Sequence, residues 1–210
     1  EGYLGYFEHR VSGLIPEGWT GPEFDDSAWL NAHVLFKAEL KENRRDPASP
    51  YGLMPRMIPM LEEGELERFP DAYLSGGEAV SAEWKALLQE NQSLTLPAGT
   101  RVDLVLDMDT LTTAFPHLVT SGGEGSNVRL TYAEALRLPW DTPGAKLLGK
   151  KQSLDNLAAH FADEERGWTF DRRGEVTGWC DIWDVPGRDE VFETLHWRTF
   201  RYIGLRIEVG

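Results

Sequence analysis

The most informative stretch for the fold is the C-terminal segment Trp197-Arg198-Thr199-Phe200-Arg201-Tyr202-Ile203-Gly204-Leu205-Arg206-Ile207-Glu208-Val209. In its second half, apolar residues alternate with glycine or charged residues, and the apolar set is Ile203, Leu205, Ile207 and Val209. Alternation with a period of two places residues i and i+2 on the same face of a β-strand. The segment therefore predicts a strand whose apolar set points into a core.

The same alternation appears upstream. From Arg101 to Met108 the even positions are apolar and the odd positions are mostly charged, which predicts a strand with one buried face. Further predicted strands are 117–120, 127–136, 178–185 and 190–195. The glycine-rich stretch 121–126 and the Pro186-Gly187 pair provide turns between them.

Helices are predicted only as short insertions. The pattern in 81–91 favours one helix, and 153–165 favours another with Ser153 as its cap. Residues 1–60 contain six prolines and are predicted to be irregular, with a turn at Asp25-Asp26-Ser27.

Composition and charge restrict the function. The 210 residues include 35 acidic residues and 21 Lys or Arg, giving a net charge of −14, which argues against a nucleic-acid partner. No run approaches the ~20 apolar residues of a membrane span, so no membrane partner is predicted. The first six residues lack the basic and apolar regions of a signal peptide. The single cysteine, Cys180, excludes an intrachain disulfide.

The eight tryptophans allow two interpretations. Indole rings stack on the apolar faces of pyranose rings, but large aromatic side chains also dominate ordinary cores. Stacking needs only one exposed ring face, and Trp19, Trp168 and Trp183 are the predicted carbohydrate-binding residues.

No pattern of catalytic or metal-binding residues stands out. The five histidines are scattered, so neither a metal site nor a cofactor is predicted, and Cys180 is expected to be an ordinary strand residue. Glu134, or Asp181 with Asp184, offers carboxylates for glycoside hydrolysis, with surface charge or turn contacts as the alternative. No catalytic residue is therefore assigned.

Two cations near the C-terminus invite a structural prediction. Arg198 and Arg201 flank Thr199 and Phe200 in a chain rich in acids. At least one of the two guanidinium groups is expected to form a bidentate pair with a carboxylate and to hold the last strand against its neighbours. Contact with a sugar or an acidic ligand is the functional alternative.

Several motifs, in order, carry a family resemblance. They are Phe24-Asp25-Asp26-Ser27-Ala28-Trp29, 55–63, Leu96-Pro97-Ala98-Gly99 leading into 104–107, 122–126, 128–136, Asp181-Ile182-Trp183 and 197–203. Together they resemble the β-sandwich region that precedes the catalytic domain of bacterial and fungal α-L-rhamnosidases. The two upstream motifs are similar to the galactose-binding-like module and connector found before that sandwich.

The resemblance implies an accessory role. Members of the family are inverting glycoside hydrolases that remove terminal α-L-rhamnose, and their catalytic glutamates lie on a later (α/α)6 barrel, so none of those residues maps onto this chain. Residues 140–170 depart from the family's usual short connection and suggest an insertion. The implied partners are the neighbouring catalytic domain of the parent chain and rhamnose-containing glycans.

Together these observations predict an all-β fold, a β-sandwich of the jelly-roll or concanavalin-like kind with short helical insertions. Residues 1–70 are interpreted as the tail of a galactose-binding-like β module and its connector, and 80–210 as the accessory β-sandwich. The alternative function is a carbohydrate-binding module that uses exposed aromatic rings. A self-contained glycosidase built on a carboxylate pair is the third hypothesis.

Overall fold

A computed structural model describes residues 8–11, 14–35, 39–40, 52–60, 62, 64–148 and 166–210. Its strands are β1 (His9–Arg10), β2 (Glu39–Leu40), β3 (Gly52–Leu53), β4 (Asp71–Leu74), β5 (Arg101–Ala114), β6 (His117–Thr120), β7 (Asn127–Ala133), β8 (Leu136–Pro139), β9 (Arg166–Thr169), β10 (Cys180–Asp184), β11 (Glu190–Glu193) and β12 (Arg198–Glu208). Helix α1 spans Ala82–Glu90. The helix predicted over 153–165 lies outside the described residues.

The chain divides into two compact units. One contains Glu1–Ile15 and Arg68–Gly210, and the other contains Pro16–Glu67. The larger unit begins earlier than the predicted sandwich at 80, because β4 and the short N-terminal β1 both pair with the main sheet. In the smaller unit, β2 and β3 form a parallel pair, and the Ser27 N–H donates to Asp25 Oδ1 at 3.0 Å, which confirms the predicted turn.

The main sheet has six strands in the order β1-β10-β7-β12-β5-β4. β1 is parallel to β10, and the remaining pairs are antiparallel. β12 lies between β7 and β5, so both of its edges are paired along most of its length. The strand with the clearest sequence pattern is therefore an interior strand of the sheet.

One face of the main sheet carries the larger apolar core. Leu104, Leu130, Trp183 and Leu205 belong to it, together with Phe192 from β11. The β6–β11 pair and side chains of α1 pack against this face. Helix α1 lies within the predicted range 81–91, and it ends where Asn91 takes the left-handed conformation that terminates helices.

The opposite face carries a smaller core. Tyr73, Val105 and Tyr202 pack there with Leu136 of β8, and the β8–β9 pair covers them. Gly204 lies on this face under Val176, where a Cβ atom would approach the Val176 Cβ to 3.2 Å. Elements pack on both sides of a predominantly antiparallel sheet, so the predicted all-β, sandwich-like fold is confirmed.

The alternation predicted in β12 is confirmed with one change. Ile203 and Leu205 are buried in the larger core, and Ile207 packs against it half-buried. Val209 follows the end of the strand, where its backbone exchanges hydrogen bonds with the loop at Gly99 and Thr100 instead.

Two strand boundaries differ from the sequence prediction. The stretch predicted as one strand over 127–136 turns at Glu134 and Ala135, so β7 and β8 enter different sheets. β5 extends six residues beyond Met108, with Asp109 in the left-handed conformation. The register of β5 with β12 shifts at this point, between the Phe200–Thr112 and Tyr202–Asp107 pairs.

Candidate functional site

A buried ion cluster centres on Arg198, the first residue of β12. Its Nε donates to Asp181 Oδ2 at 2.9 Å and its Nη2 to Asp181 Oδ1 at 2.8 Å. Asp181 is 1% exposed and Arg198 is 6% exposed. The predicted bidentate pair is therefore confirmed, and it links β12 with β10.

Glu8, the residue before β1, completes this cluster. Arg198 Nη2 also donates to Glu8 Oε1 at 3.0 Å, and the Glu8 backbone N–H donates to Asp181 Oδ1 at 2.7 Å. The same Glu8 oxygen accepts the Leu195 N–H at 2.8 Å. One guanidinium group thus compensates two carboxylates. Glu8 is also fixed to a turn that is 187 positions away in the sequence.

Electrostatics in the cluster favour a permanently charged arginine. Burial alone would lower the pKa of Arg198, but its hydrogen bonds with Asp181 and the nearby charges outweigh burial and raise it. Tyr132 lies under the cluster, and burial together with the negative charge of Asp181 raises the pKa of its hydroxyl. Neither group is poised to exchange protons near neutral pH.

A second arginine pair lies at the irregularity in β12. Arg201 Nε donates to Asp107 Oδ1 at 3.0 Å and its Nη2 to Asp107 Oδ2 at 3.3 Å. The Asp109 N–H donates to the same Asp107 Oδ1 at 2.8 Å. The left-handed Asp109 therefore closes the loop over the carboxylate, and both predicted arginines are paired.

The three acids considered for glycoside hydrolysis are kept apart. Asp181 and Asp184 differ by an odd number of positions in β10, so they project from opposite faces of the strand. Asp184 accepts from Asn127 Nδ2 at 2.8 Å and lies 3.1 Å from His9 Nε2. Glu134 is exposed in the turn between β7 and β8. The structure brings none of these three into a convergent pair.

The three predicted sugar-stacking tryptophans lie in different environments. Trp183 is 1% exposed and stacks on Phe192 with ring centroids 5.3 Å apart, so its expected role in sugar binding is wrong because no ring face is open. Trp168 is half-buried, with the Arg137 guanidinium 4.4 Å from its ring centroid. Trp19, in the smaller unit, is 41% exposed and retains an accessible surface.

A wide groove of about 440 Å³ lies beside Phe170, Leu148 and Lys146. The Arg201 guanidinium sits 4.8 Å from the centroid of the Phe170 ring, which leaves that ring partly covered. Asp171 borders the groove, and its hydrogen bonds with Arg173 lower the pKa of its carboxyl to about 2.

Among the described residues, no three His, Cys, Asp or Glu side chains cluster closely enough to hold a metal ion. Cys180 is a half-buried free thiol at the start of β10, as the sequence predicts. Among the described helices, none is long and apolar enough to cross a membrane.

Comparison with known proteins yields no relative. No protein family, no curated protein and no solved structure matches this chain.

Sequence reasoning missed the residues that make the buried cluster specific. Glu8 lies in a segment predicted to be irregular, and it joins the cluster only because β1 adds to the edge of β10. Arg10, also in β1, donates to the carbonyl oxygens of Val191 and Glu193 and so ties β11 to the sheet edge. In the sequence, the charged residues Glu8 and Arg10 lie beside a short apolar run, and this local pattern does not indicate their partners.

Proposed function

We propose that this chain is the non-catalytic accessory β-sandwich of a glycoside hydrolase of the α-L-rhamnosidase kind. In the parent protein, terminal α-L-rhamnose would be removed by inverting hydrolysis on another domain, against which the sandwich packs. The observation that carries the proposal is the state of the two buried carboxylates, Asp181 and Asp107. Each is bound by an arginine in a bidentate pair.

The chemistry of inverting hydrolysis explains why this observation matters. The reaction needs a carboxylic acid to protonate the leaving oxygen and a carboxylate to activate water, with the two ~6.5 to 9.5 Å apart. Both oxygens of Asp181 already accept hydrogen bonds from Arg198 or the Glu8 N–H. A carboxylate held in this way is suited to joining strands and poorly suited to delivering a proton.

The test is an activity assay with a binary outcome. Purified residues 1–210 are incubated with an aryl α-L-rhamnoside, and an authentic α-L-rhamnosidase serves as the positive control. We expect no turnover above the rate without protein. Turnover close to that of the authentic α-L-rhamnosidase would contradict the accessory role and restore the hypothesis of a carboxylate-pair glycosidase.

A carbohydrate-binding module is the second candidate function. It is favoured by aromatic side chains that are at least 40% exposed, namely Trp19, Trp29, Phe115, Phe170, Trp179 and Trp197. Exposed rings supply the apolar faces on which sugars stack. Affinity electrophoresis of the chain in gels that contain soluble glycans tests this candidate independently of hydrolysis.

A further inference from the structure

An apolar strip runs along the outer side of the larger unit. One side of the strip is formed by the end of β5 followed by β6, and the other side by β11 followed by the start of β12. Along both sides, buried residues alternate with exposed ones. We define the outer strip by its six exposed apolar residues, which are Leu111, Phe115, Val119, Val191, Leu195 and Trp197.

The register explains how these residues come together. Val191 pairs with Val119, and their neighbours Phe192 and Leu118 point into the core. At the other end Arg198 pairs with Ala114. Phe115 follows Ala114 and Trp197 precedes Arg198. Because the strands are antiparallel, the two aromatic residues lie on the same side of this pair.

The polar side chains of the strip lie in two pairs across the strands. The hydroxyls of Thr113 and Thr199 lie 3.2 Å apart across the ladder. His117 Nδ1 lies 3.3 Å from Glu193 Oε2, and Glu193 is the single Asp, Glu, Lys or Arg at the exposed positions between 111 and 119 and between 191 and 199. The strip therefore carries one formal negative charge on a chain whose net charge is −14.

We propose that the outer strip binds a neutral glycan chain, with Phe115 and Trp197 as stacking platforms. This inference rests on the second candidate function. Phe115 is 42% exposed and Trp197 is 40% exposed, with the His196 ring against Trp197 at a centroid distance of 3.9 Å, and both offer apolar ring surface to the C–H groups of a pyranose. The Thr113 and Thr199 hydroxyls of the β5–β12 pair and the His117 and Glu193 side chains of the β6–β11 pair can exchange hydrogen bonds with sugar hydroxyls.

Size and charge argue against other occupants. Nine residues of a two-stranded ribbon span about 30 Å by about 10 Å, or roughly 300 Å², whereas a stable dimer buries about 800 Å² per partner. A second copy would also bring another −14 charge. The same negative field disfavours acidic polysaccharides and nucleic acid. A narrow, extended and uncharged ligand fits these limits.

The test measures binding of a soluble neutral rhamnan by affinity electrophoresis and by quenching of tryptophan fluorescence, with polygalacturonate as the acidic comparison. We expect the wild-type chain to bind the rhamnan, and Trp197→Ala and Phe115→Ala each to weaken binding about 3- to 10-fold, as for the loss of one aromatic contact. Phe115→Tyr should retain binding because it keeps the ring. Trp29→Ala is the matched control, since it removes an exposed tryptophan of the other unit.

Each alternative result is informative. Unchanged binding in both alanine variants would overturn the assignment to the strip and leave the carbohydrate-binding candidate intact. Failure of the wild-type chain to bind rhamnan would overturn the assignment to the strip. The carbohydrate-binding candidate is decided by affinity electrophoresis with other soluble glycans, and the accessory role by the hydrolysis assay. Equal or tighter binding of polygalacturonate would refute a neutral ligand, and dimerisation abolished by Trp197→Ala would assign the strip to a second copy.

Discussion

Arg198 and Arg201 lie three positions apart in β12, and each holds an aspartate with two hydrogen bonds, but their surroundings differ. The Arg198 side chain is 7% exposed and faces a fully buried Asp181 with Glu8 beside it. The Arg201 side chain is 22% exposed and faces Asp107 at a bulge, near the exposed Asp109. One pair is sealed inside the sandwich, and the other lies at its border with water.

The difference shows what a bidentate pair contributes in each place. At the border, the Asp107 side chain is 10% exposed and still accepts the Asp109 N–H if the arginine is removed. Inside, Asp181 would keep the Glu8 N–H but lose its counter-ion, and a buried carboxylate without its counter-ion is costly. Removing the arginine should therefore lower the free energy of unfolding more for the Arg198 pair than for the Arg201 pair.

The largest effect is expected from Arg198→Met. This variant keeps much of the side-chain volume but leaves Asp181 and Glu8 without their cation, so it should lower the free energy of unfolding by about 3 to 5 kcal/mol. Urea unfolding followed by tryptophan fluorescence measures the change.

The double variant Arg198→Met/Asp181→Leu is the control for this interpretation. If the loss comes from an unpaired buried charge, removing that charge should restore a large part of the stability. A double variant that is less stable than Arg198→Met alone would contradict the explanation.

Leu205→Ala provides an apolar reference in the same strand. Leu205 is 5% exposed and belongs to the larger core, so its truncation should cost about 2 to 5 kcal/mol. Comparison of its midpoint in urea with that of Arg198→Met ranks the ion cluster against core packing. A nearly unchanged midpoint for Leu205→Ala would be incompatible with a buried position in β12.

A smaller effect is expected from Arg201→Met. Asp107 keeps the hydrogen bond from the Asp109 N–H, and the Arg201 side chain is 22% exposed, so the loss should be about 1 to 3 kcal/mol. The same urea titration gives the value. A loss equal to or larger than that of Arg198→Met would show that burial does not separate the two pairs.

The sequence predicted a good part of this architecture because its strand signals are local. Alternation in 101–108 and 203–207 marks the face that packs in the larger core, and that face exists. The expectation of a single buried face in 101–108 is wrong, because Val105 packs in the smaller core on the opposite face. The expectation of arginine–carboxylate pairs also succeeded, since cations were few and acids abundant. Their partners Asp181 and Asp107 were not predictable, because register over 17 and 94 positions sets them.

Other features depend on long-range packing that no local pattern encodes. Trp183 was expected to meet a sugar, but Phe192 of a distant strand covers it. The outer strip arises only when β5, β6, β11 and β12 align, although each exposed residue is unremarkable in its own segment. Burial on either side of a strand is thus decided by what the rest of the chain places there.

The smallest effect extends the comparison to a third, more exposed arginine pair. Arg173 Nη2 donates to Asp171 Oδ2 at 2.6 Å, and the Arg173 side chain is 47% exposed. These hydrogen bonds lower the pKa of Asp171 from 3.8 to about 2, so the folded state holds its proton less tightly than the unfolded state. The resulting stabilisation is present above pH 3.8 and is lost as the pH falls towards 2.

Asp171→Asn should therefore lower Tm slightly at pH 7, by about 2 °C or less because water and salt screen an exposed pair. The difference in Tm between the variant and the wild-type chain should shrink as the pH falls from 3.8 to about 2, where the wild-type carboxylate takes up its proton. Calorimetric scans across this interval, repeated at high salt, measure both dependences. A Tm difference that stays constant with pH would contradict this prediction. It would mean that the charge of Asp171 contributes nothing, and that its side chain acts only through its shape and its hydrogen bonds to the turn.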